Sequence, residues 1–228
     1  MAHHQKKELI GELVGTFILV FVGTCAVVTT KLATGQFSFG VLEYLGIGAA
    51  FGTALLVAAY TVGPLSGAHL NPAVTIGLAL NQRISLDKVV PYIVAQCVGA
   101  VLASWTLLVL LGTRAYGLGE TTVGFLGLRE ALGAETVLTA ILVFLVLGVT
   151  DKGAPAGGMG GLLIAIYLAA SHLIGIPFSG NSLNPARSLG PAVFMGGPAL
   201  HQLFPVYVVT PIVGGVVGAL IYRCLKND

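Results

Sequence analysis

Eight apolar segments of two lengths make up most of the chain. Six are long enough for a helix to cross the apolar core of a bilayer, which takes about 20 residues. They lie at about 9–30, 42–63, 88–112, 131–149, 157–177 and 203–223. Two shorter segments, 71–80 and 184–195, would form helices of about half that length. Such a half-helix lies inside a membrane only where protein or a water-filled cavity surrounds it. The sequence therefore predicts an all-α membrane protein with six transmembrane helices and two re-entrant half-helices around a cavity.

The composition excludes several classes of function. The chain has 228 residues, of which 56% are hydrophobic and 9% are charged, whereas a soluble domain carries about 25% charged residues. The net charge is +2, and no basic cluster is larger than Lys6-Lys7, which argues against a nucleic-acid partner. The sequence contains no recognisable nucleophile–base pair, metal-ligand cluster or phosphate-binding loop. We therefore expect that the protein is not an enzyme and that it uses no cofactor and no metal.

The two halves of the chain resemble each other. Segment 12–21, ELVGTFILVF, aligns with segment 135–144, ETVLTAILVF, and segment 66–73, SGAHLNPA, aligns with segment 179–186, SGNSLNPA. Each half contains two spans, a half-helix and a third span. Three crossings per half place the second copy upside down relative to the first. We predict a single channel domain over 1–228, with inverted repeats at about 8–112 and 130–225.

The charged residues between the spans indicate an orientation. On one side the predicted topology places Lys6, Lys7, Arg83, Lys88, Lys152, Arg223 and Lys226. On the other side it places Lys31, Arg114 and Arg129. Loops rich in Lys and Arg stay in the cytoplasm. The protein is therefore predicted to cross the cell membrane several times, with both termini in the cytoplasm.

Each half-helix begins with the same three residues. They are Asn71, Pro72 and Ala73 in the first half and Asn184, Pro185 and Ala186 in the second. Asn is a favoured N-cap, Pro at the next position needs no amide partner, and Ala lets two helix ends approach closely. Two helix N-termini that meet at the middle of the membrane repel cations. The two Asn amides can donate to one water oxygen, which would interrupt a proton wire while water still passes.

Two carboxylates within predicted spans, Glu12 and Glu135, occupy equivalent positions in the first span of each half. One interpretation is a proton relay, as in a transporter. The other is a structural brace, in which each carboxylate accepts hydrogen bonds from backbone amides of the irregular loop in its own half. We favour the brace, and we expect His69, two residues before Asn71, to brace its loop as well.

Segments 66–75, SGAHLNPAVT, and 182–192, SLNPARSLGPA, make the chain similar to microbial members of the aquaporin family. The resemblance covers essentially the whole length. It implies a homotetramer with one pore in each subunit, and an aromatic/arginine constriction outside the central asparagines. Matched by distance to the two motifs, this constriction would consist of Phe51, His172, Asn181 and Arg187. Packing roles are the alternative for Phe51 and His172, and a buried ion pair is the alternative for Arg187.

The same residues bear on which solute passes. In glycerol-conducting relatives the His position is small and the residue after the second-motif Arg is Asp, whereas this chain has His172 and Ser188. Asn181 and Val208 depart from the residues that water-selective members carry at those positions. We therefore expect passive, single-file conduction of water across the lipid bilayer. The alternative is a facilitator of glycerol or other small neutral solutes.

Overall fold

The computed structural model describes residues 2–35 and 40–226, and within these ranges the chain forms nine α-helices. They are α1 (Ala2–Thr34), α2 (Val41–Ser66), α3 (Pro72–Leu80), α4 (Leu86–Leu111), α5 (Leu128–Val149), α6 (Gly160–Ser179), α7 (Pro185–Met195), α8 (Gly197–Gln202) and α9 (Val209–Lys226). A 3₁₀ turn at Gly157–Met159 precedes α6, and a π-helical segment at Leu203–Val208 joins α8 to α9. Residues 1, 36–39 and 227–228 of the predicted domain lie outside the described residues.

The predicted spans are confirmed. Among the described residues, six helical segments are long and apolar enough to cross a membrane. They are Gln5–Thr34, Val41–Ser66, Leu86–Leu111, Leu128–Val149, Gly157–Ser179 and Gly197–Lys226. The half-helices α3 and α7 have 9 and 11 residues, so they are about 14 and 17 Å long. The sixth span begins six residues before the predicted start at 203, because Pro198 lies in the first turn of α8, where a proline favours a helix start.

The long helices form a bundle, and each half-helix packs on the opposite half of the chain. Helix α1 packs against α2 and α4, α2 packs against α6, and α5 packs against α6 and α9. The half-helix α3 lies mainly against α9, and α7 lies mainly against α4. The two halves are therefore joined through both half-helices.

Glycines allow close contacts between the helices of this bundle, as two examples show. A Cβ atom at Gly99 of α4 would lie 2.3 Å from the carbonyl oxygen of Leu13 in α1. A Cβ atom at Gly214 of α9 would lie 2.2 Å from the carbonyl oxygen of Thr136 in α5. Small residues at such crossings let helix backbones touch, which is how helices associate in a membrane.

A polar cluster joins three segments at the end of the bundle that carries both termini. The carboxylate of Asp151, in the loop between α5 and α6, lies 2.7 Å from Nζ of Lys226 and 2.5 Å from Nη2 of Arg83. It also accepts a hydrogen bond from the hydroxyl of Tyr222. The hydrogen bonds from Lys226 and Tyr222 hold the pKa of Asp151 below its ordinary value. The contacts therefore stabilise the folded protein above the ordinary pKa of an aspartate, and they are lost only as the pH falls below that value.

We expect that Gly214→Ala destabilises the folded protein by about 1 to 3 kcal/mol, because the added methyl group forces α9 away from α5. The matched control is Gly133→Ala on α5, where the new Cβ meets no described atom within 4 Å and where alanine favours the helix. Thermal unfolding of the detergent-solubilised variants measures the difference. Equal melting temperatures for the two variants would contradict this account of the crossing.

Candidate functional site

A cavity of about 500 Å³ extends into the bundle from the face that carries the termini. At that face it is lined by loop residues such as Arg83, Thr150 and Gly158, in its middle by Asn71 and Asn184, and at its far end by Phe51, His172 and Arg187. The cavity therefore contains both places that the sequence singles out, the two asparagines and the aromatic/arginine group.

The two asparagines cap the half-helices at the middle of the cavity. Oδ1 of Asn71 accepts a hydrogen bond from the backbone N–H of Ala73 at 2.9 Å, and Oδ1 of Asn184 accepts one from Ala186 at 3.0 Å. Both asparagines have extended backbone conformations, as N-cap residues do. The caps satisfy backbone amides that would otherwise lack partners inside the membrane.

The same side chains also connect the two halves of the chain. Nδ2 of Asn71 donates to the carbonyl oxygen of Leu183 at 2.7 Å, and Nδ2 of Asn184 donates to the carbonyl oxygen of Leu70 at 2.8 Å. An amide group has two N–H donors, so each asparagine keeps one donor for a molecule in the cavity. The positive ends of two helix dipoles lie at the same place.

The loops before the half-helices contain non-glycine residues in the left-handed conformation. These residues are Ala68 and Leu70 in the first loop and Asn181 and Leu183 in the second, with φ between 49° and 54°. The conformation costs about 1 to 2 kcal/mol per residue, so other contacts must hold it. In such segments successive backbone N–H groups can point to one side and form a concave site for an anion.

Glu12 fills this site in the first loop. Its carboxylate accepts hydrogen bonds from the backbone N–H groups of His69 at 2.9 Å and Leu70 at 2.7 Å, and from Nε2 of Gln96 at 2.8 Å. The side chain is fully buried. Because both carboxylate oxygens are used to hold the loop, these contacts favour the brace over the proton relay.

Glu135 makes the corresponding contacts in the second loop. Its carboxylate accepts from the backbone N–H groups of Ser182 and Leu183, each at 2.8 Å, and from the hydroxyl of Ser179 at 2.6 Å. Glu135 is also fully buried. The positions of the two glutamates in the sequence therefore correspond to equivalent contacts in the structure.

His69 belongs to the first loop and lines the cavity. Its Nδ1 is 3.2 Å from Oγ1 of Thr75, and its ring lies against the ring of Tyr92 with centroids 5.0 Å apart. These contacts hold the ring in place. His69 therefore contributes to the wall of the cavity, and its role as a brace of the loop stays a prediction.

Phe51, His172 and Arg187 form a tightly packed group at the far end of the cavity. The rings of Phe51 and His172 stack with centroids 4.5 Å apart, and the guanidinium carbon of Arg187 lies 4.9 Å from the centroid of Phe51. These side chains are only 2%, 1% and 3% exposed, respectively. This end of the cavity is therefore narrow.

The polar atoms of this group are only partly used by the protein. Nδ1 of His172 lies 2.7 Å from the carbonyl oxygen of Leu168, and since a carbonyl can only accept, Nδ1 carries the hydrogen. Nη1 of Arg187 donates to the carbonyl oxygen of Gly119 at 2.7 Å. Among the described residues, Nε2 of His172 and Nε of Arg187 have no hydrogen-bond partner. Nε2 of the neutral His172 can therefore still accept a hydrogen bond, and Nε of Arg187 can still donate one.

The side chain of Asn181, the fourth predicted member of the constriction, does not join the group. Its Nδ2 donates to the hydroxyl of Ser171 in α6 at 3.0 Å. Its Oδ1 occupies the space that a Cβ atom at Gly175 would take, 2.0 Å away. The described residues that line the cavity do not include Asn181. The Asn181 side chain thus packs on α6, and the place of this residue in the constriction stays a prediction.

Two residues of the connection between α4 and α5, Gly119 and Thr121, hold the constriction and were not predicted from the sequence. The carbonyl of Gly119 accepts from Arg187, and Thr121 begins a chain of hydroxyl groups. Thr121 Oγ1 lies 2.7 Å from Ser188 Oγ, which lies 2.5 Å from Ser182 Oγ. No local pattern marks these residues, because their partners are more than sixty positions away in the chain.

The sequence model of the family described as Major intrinsic protein matches residues 2–222. The chain belongs to the major intrinsic protein family. Aquaporin Z of Photorhabdus laumondii is 41% identical to it, over 96% of this chain and 97% of the relative. Glycerol uptake facilitator protein-like 6 of Lactiplantibacillus plantarum is 38% identical, over 97% and 99%. The X-ray structure of the aquaglyceroporin from Plasmodium falciparum superimposes with a TM-score of 0.84 at 27% identity, covering 97% of each chain.

These comparisons confirm the family and the all-α fold that the sequence predicts. Like the other members of the major intrinsic protein family, the chain is a multi-pass membrane protein with a channel fold. Its two half-helices and their asparagines lie at the centre of the cavity, and its constriction lies at one end.

The buried carboxylate of Glu135 gives a test of the brace. We expect Glu135→Gln to destabilise the protein by about 1 to 3 kcal/mol, because an amide nitrogen cannot accept and leaves a backbone N–H of the loop without its partner. Glu130→Gln is the matched control on the same helix, since Glu130 pairs with the exposed Arg129 and such pairs contribute little. Melting temperatures in detergent measure both. A well-folded Glu135→Gln that loses a pH-driven flux would instead support the relay.

Proposed function

We propose that this member of the family is a passive channel that conducts water in single file and excludes ions and protons. The observation that supports it most is the packed group of Phe51, His172 and Arg187 at the end of the cavity. Two rings and a guanidinium group leave little room, so we expect only a molecule about the size of water to pass. The free acceptor of His172 and the free donor of Arg187 match the two hydrogen-bonding roles of water.

Exclusion of protons and cations rests on the middle of the cavity. The remaining amide hydrogens of Asn71 and Asn184 can both be donated to one water oxygen, which then cannot accept a hydrogen bond from the next water. The two helix N-termini add partial positive charge there, and Arg187 adds a full charge at the constriction. Each of these features disfavours a cation without hindering a neutral molecule.

Curated relatives support a water channel without catalytic activity. Proteins named Aquaporin Z from three bacteria are 36–41% identical to this chain over nearly its whole length. A channel that lets its solute pass unchanged needs positioned donors and acceptors rather than reacting groups. We therefore propose that the protein is not an enzyme.

The conduction of glycerol or another small neutral solute is the second candidate. It is favoured by the side chain of Asn181, which lies against α6 and adds no bulk to the cavity wall. It is also favoured by a relative named for glycerol uptake at 38% identity and by the solved aquaglyceroporin at 27% identity. Passage of glycerol requires that the group of Phe51, His172 and Arg187 opens wider than its packing in this structure.

We further propose that the protein is a homotetramer in the cell membrane with one pore per subunit. We also propose that its termini are cytoplasmic and that segments 8–112 and 130–225 are inverted repeats. Equivalent contacts support the repeats. The hydroxyl of Tyr92 donates to the carbonyl of Ser66, and that of Tyr207 donates to the carbonyl of Ser179, both at 2.9 Å. The family resemblance supports the tetramer, and the basic residues near the termini support the orientation.

Stopped-flow light scattering of proteoliposomes tests the solute. Under a sucrose gradient we expect the parent channel to pass water much faster than empty liposomes do, and under a glycerol gradient we expect little flux. Arg187→Val combined with His172→Ala should raise glycerol flux by about tenfold or more, because two bulky polar walls are lost.

The matched control changes the same residue types at exposed positions, Arg129→Val combined with His201→Ala, and should leave both fluxes unchanged. Rapid glycerol flux through the parent would favour the second candidate. If a correctly inserted Arg187→Val/His172→Ala channel passes glycerol no faster than the parent, these two residues do not form the constriction.

Orientation can be tested with Cys224, which is exposed near the end of α9. A membrane-impermeant maleimide should label it in inside-out vesicles and spare it in right-side-out vesicles, because the predicted C-terminus is cytoplasmic. Cys25 and Cys97 are partly buried within membrane helices, and Cys224→Ser gives the background from them. Labelling confined to right-side-out vesicles would reverse the proposed topology.

A further inference from the structure

The ring of Phe51 occupies the space that a side chain at Gly23 would take. A Cβ atom built on Gly23 would lie 2.1 Å from Cε1, 2.3 Å from Cδ1 and 2.4 Å from Cζ of Phe51. Gly23 is buried in the middle of α1, where glycine costs about 1 kcal/mol relative to alanine. One edge of the ring therefore rests directly on the backbone of α1.

The notch at Gly23 is local to one turn of α1. Leu19 lies one turn earlier and Val27 one turn later, and both pack with Phe51 in the same apolar cluster. These larger side chains bring the surface of α1 forward on either side of Gly23. Between Leu19 and Val27 the surface of α1 is thus recessed where the ring of Phe51 meets it.

The backbone that carries Phe51 has little freedom to move away from α1. A Cβ atom at Gly48 would lie 2.5 Å from the carbonyl oxygen of Ala169, and one at Gly52 would lie 2.7 Å from that of Ala165. Helix α2 is therefore in backbone contact with α6 both before and after Phe51. A ring displaced from Gly23 must turn about its own side-chain bonds.

The space available to a displaced ring is the constriction itself. Phe51 lines the cavity, stacks on His172 and lies under the guanidinium group of Arg187. From these contacts we infer that Gly23 is a specificity-determining position: by seating the ring of Phe51 against α1 it sets the width of the constriction. This inference rests on the proposed function, since it concerns the same constriction, but Gly23 itself is not among the described residues that line the cavity.

A methyl group at Gly23 should therefore narrow the pore through Phe51. We expect Gly23→Ala to lower water permeability per channel by about tenfold, the effect of one methyl-sized change in a tight site. Gly46→Ala is the matched control, because that glycine of α2 is exposed and its new Cβ meets no described atom within 4 Å. It should conduct like the parent.

A double-mutant cycle with Phe51→Val separates this effect from a general loss of structure. With the ring removed, Gly23→Ala has nothing to displace, so Gly23→Ala/Phe51→Val should conduct water as fast as Phe51→Val alone. A Gly23→Ala channel with parental permeability would overturn the inference. The inference would also be overturned if Gly23→Ala lowered the water permeability of the Phe51→Val channel by the same factor as it lowers that of the parent.

Melting temperatures of the same four proteins in detergent provide a second measurement if Gly23→Ala inserts poorly. Gly23→Ala should lower the melting temperature in the parent and lower it less in the Phe51→Val background. An equal decrease of the melting temperature in the parent and in Phe51→Val would contradict the contact between Gly23 and the ring of Phe51. If the parent passes glycerol readily, the proposed selectivity for water is wrong, but Gly23→Ala should still reduce the glycerol flux. A failure of the proposed function can therefore be distinguished from a failure of the inference about Gly23.

Discussion

The structure depends on satisfying backbone N–H groups in the middle of a membrane. Two helices begin there, and the first amides of a helix have no partners within it. Lipid offers none, so the chain must supply them. Asn71 and Asn184 accept from the first turns of α3 and α7, and Glu12 and Glu135 accept from the loops before them. These four side chains make a re-entrant backbone possible, and the cavity is lined by that backbone.

The same contacts join the two halves of the chain into one unit. Each asparagine donates to a carbonyl of the opposite loop, and each half-helix packs mainly on a long helix of the opposite half. The middle of the cavity is therefore fixed from both sides. A rigid centre suits a channel, because donors that are already in position need not be ordered when a molecule arrives.

The sequence predicted the parts of the fold that depend on segment length and local preference. Helix length alone distinguishes α3 and α7 from the spans, and the N-cap preference of asparagine locates their starts. The positions of Glu12 and Glu135 in the aligned halves predicted their shared contacts. The position of the Asn181 side chain was not predictable in this way, because it depends on the space beside Gly175, which has no side chain, and on the hydroxyl of Ser171. The support of Arg187 by Gly119 is likewise a contact between distant parts of the chain.

The centre and the constriction of the cavity are built differently, and this difference bears on selectivity. At the centre, Asn71 and Asn184 are bonded to backbone groups of both loops, so a change there disturbs the fold. At the constriction, Phe51 and His172 meet mainly through their rings, so their sizes can change while the helices stay in place. One framework can thus admit solutes of different sizes through few substitutions. Overall identity to relatives named for water or for glycerol is therefore a weak guide to the solute, and the packing around Phe51 is a stronger one.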